Sequence, residues 1–178
     1  TDANEYVGVN FFTNDFSTTT QGVDLVVAVP LEIVDEGTTE LSLSANYTKT
    51  EVTKQGDNLS DLRLLQLEEQ LPKTRGTLSL SHSQGQFRAL TRVNYFGSLT
   101  EYYLSETRIT NLKPQVTLDI EISYQATESL ELIAGGQNIF DSYPTKASYA
   151  ESLGSTYPVS SPDGFGGGYY YVKAKYSF

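Results

Sequence analysis

Few side chains in this sequence could support catalysis or metal binding. The chain has one histidine, His82, and no cysteine, whereas a structural zinc site needs several thiolate or imidazole ligands. A hydrolytic nucleophile needs a neighbouring base, and no GxSxG motif is present. Asp119 and Glu121 share a strand face with no implied cleft, and the glycine-rich run at 164–168 is typical of a backbone turn rather than a phosphate site. The sequence therefore predicts no enzyme, no catalytic residue, no metal site and no cofactor.

The charged side chains follow a pattern typical of β-strands. They occupy alternate positions along segments predicted below to be neighbouring strands, so opposite charges would meet across the polar face of a sheet. Cross-strand pairs of this kind contribute about 0.2–1 kcal/mol each. If the strands close into a barrel, these side chains face its lumen. We favour a structural lattice of charges over the other interpretation, a substrate path. The predicted lumen-facing residues are Arg88, Arg92, Asp119, Glu121, Lys173 and Lys175, with Glu131 on the same face.

Composition excludes several classes of protein. The net charge of -10 gives no electrostatic reason to bind nucleic acid or an anionic membrane surface. No run of about eighteen apolar residues is present, which excludes a membrane-spanning helix. Because the sequence has no initiator methionine and no apolar leader, we expect either a processed product or an excerpt, with residues 1–178 forming one domain.

The last ten residues alternate between apolar and polar side chains and end on phenylalanine. Alternation places every second side chain on the same face of a strand. In a transmembrane β-barrel, such strands turn apolar and aromatic groups toward lipid and polar groups toward the lumen. We expect this closing strand to carry the signal for insertion by the barrel-assembly machinery. The predicted signal residues are Tyr170, Val172, Tyr176 and Phe178.

The same period-two alternation recurs along the chain and predicts eight strands. Their predicted bounds are 6–13, 22–34, 40–52, 74–83, 87–98, 115–124, 130–140 and 169–178. Tyr102 and Tyr103 are a candidate extension of the fifth strand. The predicted fold class is all-β, with antiparallel up-and-down transmembrane β-barrel strands.

The predicted connections alternate between short and long. Short turns follow the second, fourth and sixth strands, and longer links follow the first (14–21), third (53–73), fifth and seventh (141–168). Outer-membrane barrels combine tight periplasmic turns with long external loops in this way, which places both chain ends on the periplasmic side.

The alternation of apolar and polar residues along the strands also fits a soluble β-sandwich, whose apolar face is a shared core. A soluble carbohydrate-binding or adhesive domain is therefore the alternative.

Two predicted external loops are candidates for ligand contact, because long loops on a rigid scaffold usually hold recognition residues. Loop 53–73 spaces leucines among acidic residues, which predicts a short amphipathic helix or a packed hairpin over the mouth. Loop 141–167 carries aromatic side chains that could stack on a sugar or an aromatic chelator, or that could simply anchor the loop. The candidate ligand-binding residues are Tyr143, Tyr149, Tyr157 and Phe165.

Two segments near the C-terminus carry a recognisable pattern. The run LELIAGGQNIFDSYP at 130–144 is followed by SSPDGFGGGYYYVKAKYSF at 160–178, and together they resemble the C-terminal part of TonB-dependent outer-membrane receptors. These receptors show an Asn-hydrophobic-Phe-Asp element on the penultimate strand and a Ser-Pro-x-Gly-Phe-x-Gly segment before the last one. Residues 22–32, 68–81 and 86–97 also resemble strands of that family.

The resemblance implies the last third of a barrel of about twenty-two strands, without the plug domain and TonB box that the whole receptor carries. It implies the Gram-negative outer membrane and TonB-driven uptake of a scarce nutrient, such as a ferric siderophore, cobalamin or an oligosaccharide. The implied partners are membrane lipid and lipopolysaccharide, the remainder of the barrel with its plug, TonB through the missing N-terminal region, and the barrel-assembly machinery. A stand-alone eight-stranded barrel is the other possibility.

Overall fold

The computed structural model describes residues 14–33, 36–56 and 58–178. The predicted first strand, 6–13, lies outside the described residues. Within them, no helix is both long and apolar enough to cross a bilayer. In chain order the elements are β1 (Phe16–Leu31), β2 (Gly37–Gln55), α1 (Asp61–Glu69), β3 (Thr74–Gln84), β4 (Phe87–Phe96), β5 (Leu99–Tyr102), β6 (Ile109–Leu112), β7 (Gln115–Thr127), β8 (Leu130–Gln137), α2 (Ala150–Leu153) and β9 (Tyr169–Tyr176).

Seven strands form one antiparallel sheet in the order β1-β2-β3-β4-β7-β8-β9. Each strand pairs with its neighbour along the chain, except that β5 and β6 form a separate hairpin between β4 and β7. Over the described residues, β1 and β9 are the edges of the sheet, so the sheet is open. The predicted all-β, antiparallel, up-and-down fold class is confirmed.

The predicted start of the second strand is wrong. Strand β1 begins at Phe16 rather than Gly22, because residues 18–21 pair with residues 49–52 of β2. Most of the predicted external link 14–21 is therefore strand. The first two strands reach well past the rest of the sheet, with β2 continuing to Gln55. Threonines fill much of this extension, and β-branched side chains suit a pleated strand.

Two other predicted strands end earlier than expected. Strand β4 ends at Phe96, and Tyr102 does not extend it, because Leu99–Tyr102 pairs with Ile109–Leu112 in the separate hairpin. Strand β8 ends at Gln137 rather than at residue 140. The next residue, Asn138, has a φ of 48°, a left-handed conformation that cannot continue an extended strand.

The register collects the apolar side chains on one face of the sheet. Leu43 pairs with Leu78, Leu78 with Val93, and Val93 with Leu118. Since side chains alternate across a strand, Ser79 beside Leu78 points to the opposite, polar face. Exposed residues of the apolar face include Val23, Leu25, Val27, Val29, Leu43, Leu78, Leu80, Val116, Ile122, Leu132 and Val172.

The buried apolar side chains lie at one end of the sheet instead. In the described part of the chain they are Leu59, Leu99, Leu112, Ala147 and Tyr149. All of them belong to long connections or to the β5–β6 hairpin. The sheet thus has an exposed apolar face rather than a dry core, and burying such a face requires another apolar phase.

The connections differ in length at the two ends of the sheet. At one end, the two residues 85–86 join β3 to β4, with Gly85 at a φ of 55°, and residues 128–129 join β7 to β8. At the other end, longer segments join β2 to β3, β4 to β7, and β8 to β9. We call the structure at this second end the cap and define it as α1, the β5–β6 hairpin (99–112) and residues 138–168.

Candidate functional site

The predicted charged residues lie on the polar face, where several of them form ion pairs. Arg92 pairs in register with Asp119, and its guanidinium lies 4.0 Å from the carboxylate. Glu131 lies 3.3 Å from Arg88 Nη2 and 3.9 Å from Lys175 Nζ. All five side chains retain some solvent exposure, so each pair contributes at most about 1 kcal/mol to stability. The geometry links β4, β7, β8 and β9 across this face.

The other two predicted residues of this face meet around Tyr171. The Tyr171 hydroxyl donates a hydrogen bond to Glu121 Oε2 (2.6 Å), and Lys173 Nζ lies 4.0 Å from the centroid of the Tyr171 ring. With Arg92 and Asp119 they line a shallow cavity of about 240 Å³. A wall that alternates positive and negative groups can hold a polar partner through charge-assisted hydrogen bonds.

Helix α1 covers the cap end of β2. The Ser60 side chain accepts a hydrogen bond from the Arg63 N–H (3.3 Å), which caps the first turn of the helix. Glu68, near its C-terminal end, accepts a hydrogen bond from the Val52 N–H of β2 (2.7 Å). Of the two structures predicted for loop 53–73, a short helix or a packed hairpin, the helix forms.

The cap contains a fully buried carboxylate that the sequence does not reveal. Glu101 of β5 is 0% exposed. Its Oε2 accepts a hydrogen bond from the Tyr149 hydroxyl (2.7 Å), and its Oε1 accepts hydrogen bonds from the Ser160 N–H (3.1 Å) and the Ser160 hydroxyl (2.9 Å). The Tyr149 ring also stacks on Tyr103, with centroids 4.4 Å apart. Glu101 therefore joins the β5–β6 hairpin to residues 149–160.

Raising the pH above about 10 is expected to loosen the cap through Tyr149. Burial is the main cause that raises the pKa of Tyr149, and the hydrogen bond to Glu101 and its charge raise this pKa further. In an opened cap the pKa returns to about 10, so the closed cap binds more protons above that pH. The stabilising contribution of Tyr149 is fully present below about pH 10 and is lost as the pH rises through the higher pKa of the closed cap.

Proteolysis of the cap checks this pH dependence. Between the two pKa values, the free energy of cap opening should fall by up to about 1.4 kcal/mol per pH unit. Subtilisin cleavage within residues 138–168 can be followed from about pH 8 to about pH 11, across the ordinary tyrosine pKa. Tyr149→Phe should remove the extra slope, and an identical slope in that variant would contradict the assignment.

The Asn-Ile-Phe-Asp segment at 138–141 forms a turn rather than strand. Asn138 and Asp141 both have positive φ, at 48° and 54°. The Asn138 side chain donates a hydrogen bond to the Ser142 carbonyl (2.8 Å) and accepts one from the Ser142 N–H (2.9 Å). Asp141 accepts a hydrogen bond from the Gly168 N–H (2.8 Å). The segment thereby ties the end of β8 to the start of β9.

The glycine-rich run before β9 serves the same turn. Gly164 and Gly167 have φ values of 72° and 69°, a region that glycine occupies without steric cost. A Cβ atom at Gly167 would also clash with the Tyr143 hydroxyl and the Asp141 carboxylate. The predicted role of this run as a backbone turn into the last strand is confirmed.

The four candidate ligand-binding aromatic residues occupy different environments. Tyr143 and Tyr157 stack on each other, with centroids 5.4 Å apart and planes 11° apart, and Tyr143 is 45% exposed. Phe165 is 57% exposed. Tyr149 is only 4% exposed, and its ring and hydroxyl are both engaged inside the cap. Its environment fits the loop-anchoring interpretation.

The predicted assembly-signal residues lie on β9 or just after it. Tyr170, Val172 and Tyr176 pair in register with apolar-face positions of β8, and Val172 is 83% exposed. Phe178 follows β9, with its ring 5.3 Å from that of Tyr176. All four side chains are exposed, and β9 is an edge strand in the described sheet, so a partner can reach both the side chains and the strand edge.

The single histidine makes a contact between two strands at the end opposite the cap. His82 Nδ1 of β3 lies 2.8 Å from Thr39 Oγ1 of β2, and Thr39 is 3% exposed. The imidazole lies so close to Gly37 that a Cβ at that position would meet it at 2.6 Å. His82 therefore has a structural contact across the β2–β3 pair.

Comparison with known proteins gives one family. The sequence model of the family described as TonB dependent receptor-like, beta-barrel, matches residues 1–139, whereas no curated protein sequence matches the chain. The matched residues include strands β1 to β8. Members of this family are outer-membrane transporters rather than enzymes, with a plugged barrel that interacts with TonB. This chain belongs to the TonB-dependent receptor-like β-barrel family.

Proposed function

We propose that the chain forms the C-terminal barrel segment of an outer-membrane receptor that takes up a scarce nutrient by TonB-dependent active transport. The observation that carries this proposal is the two-sided sheet, which exposes apolar side chains on one face and charged side chains on the other. Strands of this type are stable when lipid covers the apolar face and a polar lumen covers the other. Family membership supports the same function.

The open sheet supports a larger barrel. Strands β1 and β9 each have one unpaired edge in the described residues, and unpaired backbone groups are costly within a bilayer. Barrels of this type have about twenty-two strands in total, and the further strands would pair with both edges of this sheet. A plug would fill the lumen against Arg88, Arg92, Asp119, Glu121 and the lysines of β9, and its N-terminal box would engage TonB.

The cap supports a role in ligand recognition at the cell surface. The longer connections lie at one end of the sheet, as external loops do in outer-membrane barrels. Tyr143, Tyr157 and Phe165 offer aromatic surfaces that can stack on a sugar ring or an aromatic chelator. The nutrient classes that fit such a surface are a ferric siderophore, cobalamin or an oligosaccharide.

The remaining proposed partners follow from the other surfaces. Membrane lipid and lipopolysaccharide would cover the apolar face, and the barrel-assembly machinery would bind β9 through Tyr170, Val172, Tyr176 and Phe178.

The soluble β-sandwich alternative would require a second sheet against the apolar face. In the described residues the other sheet is the β5–β6 hairpin, which packs within the cap against α1. The structure therefore favours the barrel.

Growth of a deletion strain tests the proposed function. The source bacterium without the whole receptor is grown with iron bound to a ferric hydroxamate, with cyanocobalamin, or with a maltodextrin as the limiting nutrient. We expect a growth defect on one of these nutrients. Complementation with the intact receptor should restore growth, and a receptor without its TonB-engaging segment should not. Equal growth of all strains on every nutrient would contradict the proposal.

Tyr157→Ala is expected to weaken binding of the same nutrient, and with it uptake. Loss of one aromatic stacking contact should raise the Kd by about three- to ten-fold. Tyr95→Ala is the matched control, because it removes the same side chain from the apolar face of β4. Binding to the whole receptor in outer-membrane vesicles measures the effect, and equal affinity of the two variants would remove Tyr157 from the ligand site.

A further inference from the structure

The buried Glu101 carboxylate is the most unusual polar group of the cap. Burying a carboxylate without partners is strongly unfavourable, and Glu101 is 0% exposed. Among the described residues it has three hydrogen-bond donors, and all three come from a connection 48 to 59 residues further along the chain. None of them belongs to the β5–β6 hairpin that carries Glu101. Its side chain therefore acts between two loops rather than within one.

The two residues that bind Glu101, Tyr149 and Ser160, lie at the ends of a short segment. Tyr149 binds one carboxylate oxygen and Ser160 binds the other. Between them lie helix α2 and Tyr157, whose ring stacks on Tyr143 at the start of the same connection. The ends of residues 149–160 are thus held by one side chain, in addition to the Ala147 N–H, which donates a hydrogen bond to the Thr156 carbonyl beside Tyr157 (2.9 Å).

Other contacts hold the same loops together independently of this carboxylate. The Ser148 N–H donates a hydrogen bond to Thr110 Oγ1 (2.9 Å), and the Lys113 N–H donates one to Thr145 Oγ1 (3.0 Å). The Tyr103 ring stacks on Tyr149. Removing the Glu101 carboxylate should therefore leave the loops associated while it releases the Ser160 end of the segment.

The hairpin also connects to α1 through the residue next to Glu101. Gln66 donates a side-chain hydrogen bond to the Tyr102 carbonyl (2.9 Å), and the Tyr102 hydroxyl donates one to Glu69 (3.0 Å). The hairpin is therefore fixed on its other side by a helix. This gives Glu101 a rigid base from which to position residues 149–160.

We propose that Glu101 is a positioning residue for recognition: from a site that no ligand can reach, it holds residues 149–160 in the conformation that presents Tyr157. This inference rests on the proposed function for the role of Tyr157, and the positioning itself is a property of the ligand-free receptor. Glu101→Ala leaves the Tyr149 hydroxyl and both Ser160 donors without their acceptor. Glu101→Gln keeps one acceptor oxygen.

Hydrogen exchange of the whole receptor in lipid nanodiscs, without ligand, tests the proposal. In Glu101→Ala, exchange in residues 150–161 should accelerate by about ten-fold or more, the change expected when about 1.4 kcal/mol of hydrogen bonding is lost. Exchange in β7, β8 and the β5–β6 hairpin should stay unchanged. Glu101→Gln should give a smaller acceleration in the same residues. Glu106→Gln is the control, because Glu106 is an exposed acid in the turn of the same hairpin.

Each outcome decides a different question. Unchanged exchange in residues 150–161 of both Glu101 variants overturns the proposal, and so does a uniform loss of protection across the whole cap, which would indicate a general structural role. Accelerated exchange confined to residues 150–161 supports it. If that result accompanies normal growth of the deletion strain on every nutrient, the proposed uptake function fails while the positioning role of Glu101 stands.

Discussion

Replacing Leu78 with arginine is expected to lower the free energy of unfolding of the barrel by about 2–4 kcal/mol, the cost of a basic side chain on the lipid face near the bilayer midplane. Leu78 lies on β3 in the middle of the apolar face, paired with Leu43 and Val93, and it is 43% exposed. In a bilayer the exposed part of this side chain contacts acyl chains, which cannot solvate a guanidinium. Urea unfolding of the whole receptor in lipid vesicles measures the change.

The matched control is the same substitution one residue further along. Ser79 points to the polar face, opposite Arg92 of the neighbouring strand, where an added guanidinium can be hydrated although its repulsion from Arg92 costs about 0.2–1 kcal/mol. Ser79→Arg should therefore cost about 1 kcal/mol or less, as expected of substitutions outside a buried core. Equal costs at the two positions, or a larger cost at Ser79, would show that the two faces have been assigned to the wrong environments.

The second large effect is expected at Asn138, which ends β8. Asn138→Ala should destabilise the receptor by about 2–4 kcal/mol, because alanine in a left-handed conformation costs about 1 kcal/mol or more and the two hydrogen bonds to Ser142 are lost. Asn138 is 7% exposed, so water replaces these bonds poorly. The resistance of the folded barrel to heat, followed by its mobility in a detergent gel, measures the loss.

Two further substitutions separate the backbone from the side chain at this position. Asn138→Gly permits the positive φ and should recover about 1 kcal/mol of the loss. Asn138→Asp keeps an acceptor for the Ser142 N–H and loses the donor to the Ser142 carbonyl. Its loss of stability should therefore be smaller than that of Asn138→Ala. A loss under about 0.5 kcal/mol for alanine would show that the turn does not depend on this side chain.

Alternation along the strands made the sheet predictable. Strand β7 is the clearest case, since apolar residues from Val116 to Tyr124 occupy every second position and carry no competing signal. The start of β1 was missed because Thr18, Thr19 and Thr20 are polar on both faces, and only their pairing with β2 makes them strand. The end of β8 had a usable signal, because asparagine and aspartate tolerate left-handed conformations better than most residues.

The cap was less predictable, because its contacts join distant segments. Leucine spacing before β3 left a helix and a hairpin equally open, and the β5–β6 hairpin consists of two four-residue strands that give a weak pattern. Glutamate is almost always exposed in proteins, so nothing in the sequence distinguishes Glu101 from Glu106. Tyr149 was predicted as a candidate ligand contact or a loop anchor, and it is buried against Glu101 and Tyr103, which lie in another connection.

Spin labels along β7 can show whether lipid covers the apolar face of this sheet. The chain has no cysteine of its own, so single cysteines can be placed at each position from 116 to 124 in a receptor free of other reactive thiols and reconstituted in lipid. Lipid on the apolar face predicts a period of two, in which labels at Val116, Leu118, Ile120 and Ile122 are relaxed by oxygen and shielded from a water-soluble nickel complex. Labels at the positions between them should show the reverse pattern or weak accessibility. If the labels at Val116, Leu118, Ile120 and Ile122 are instead shielded from both reagents, as in a dry protein interior, lipid does not cover this face.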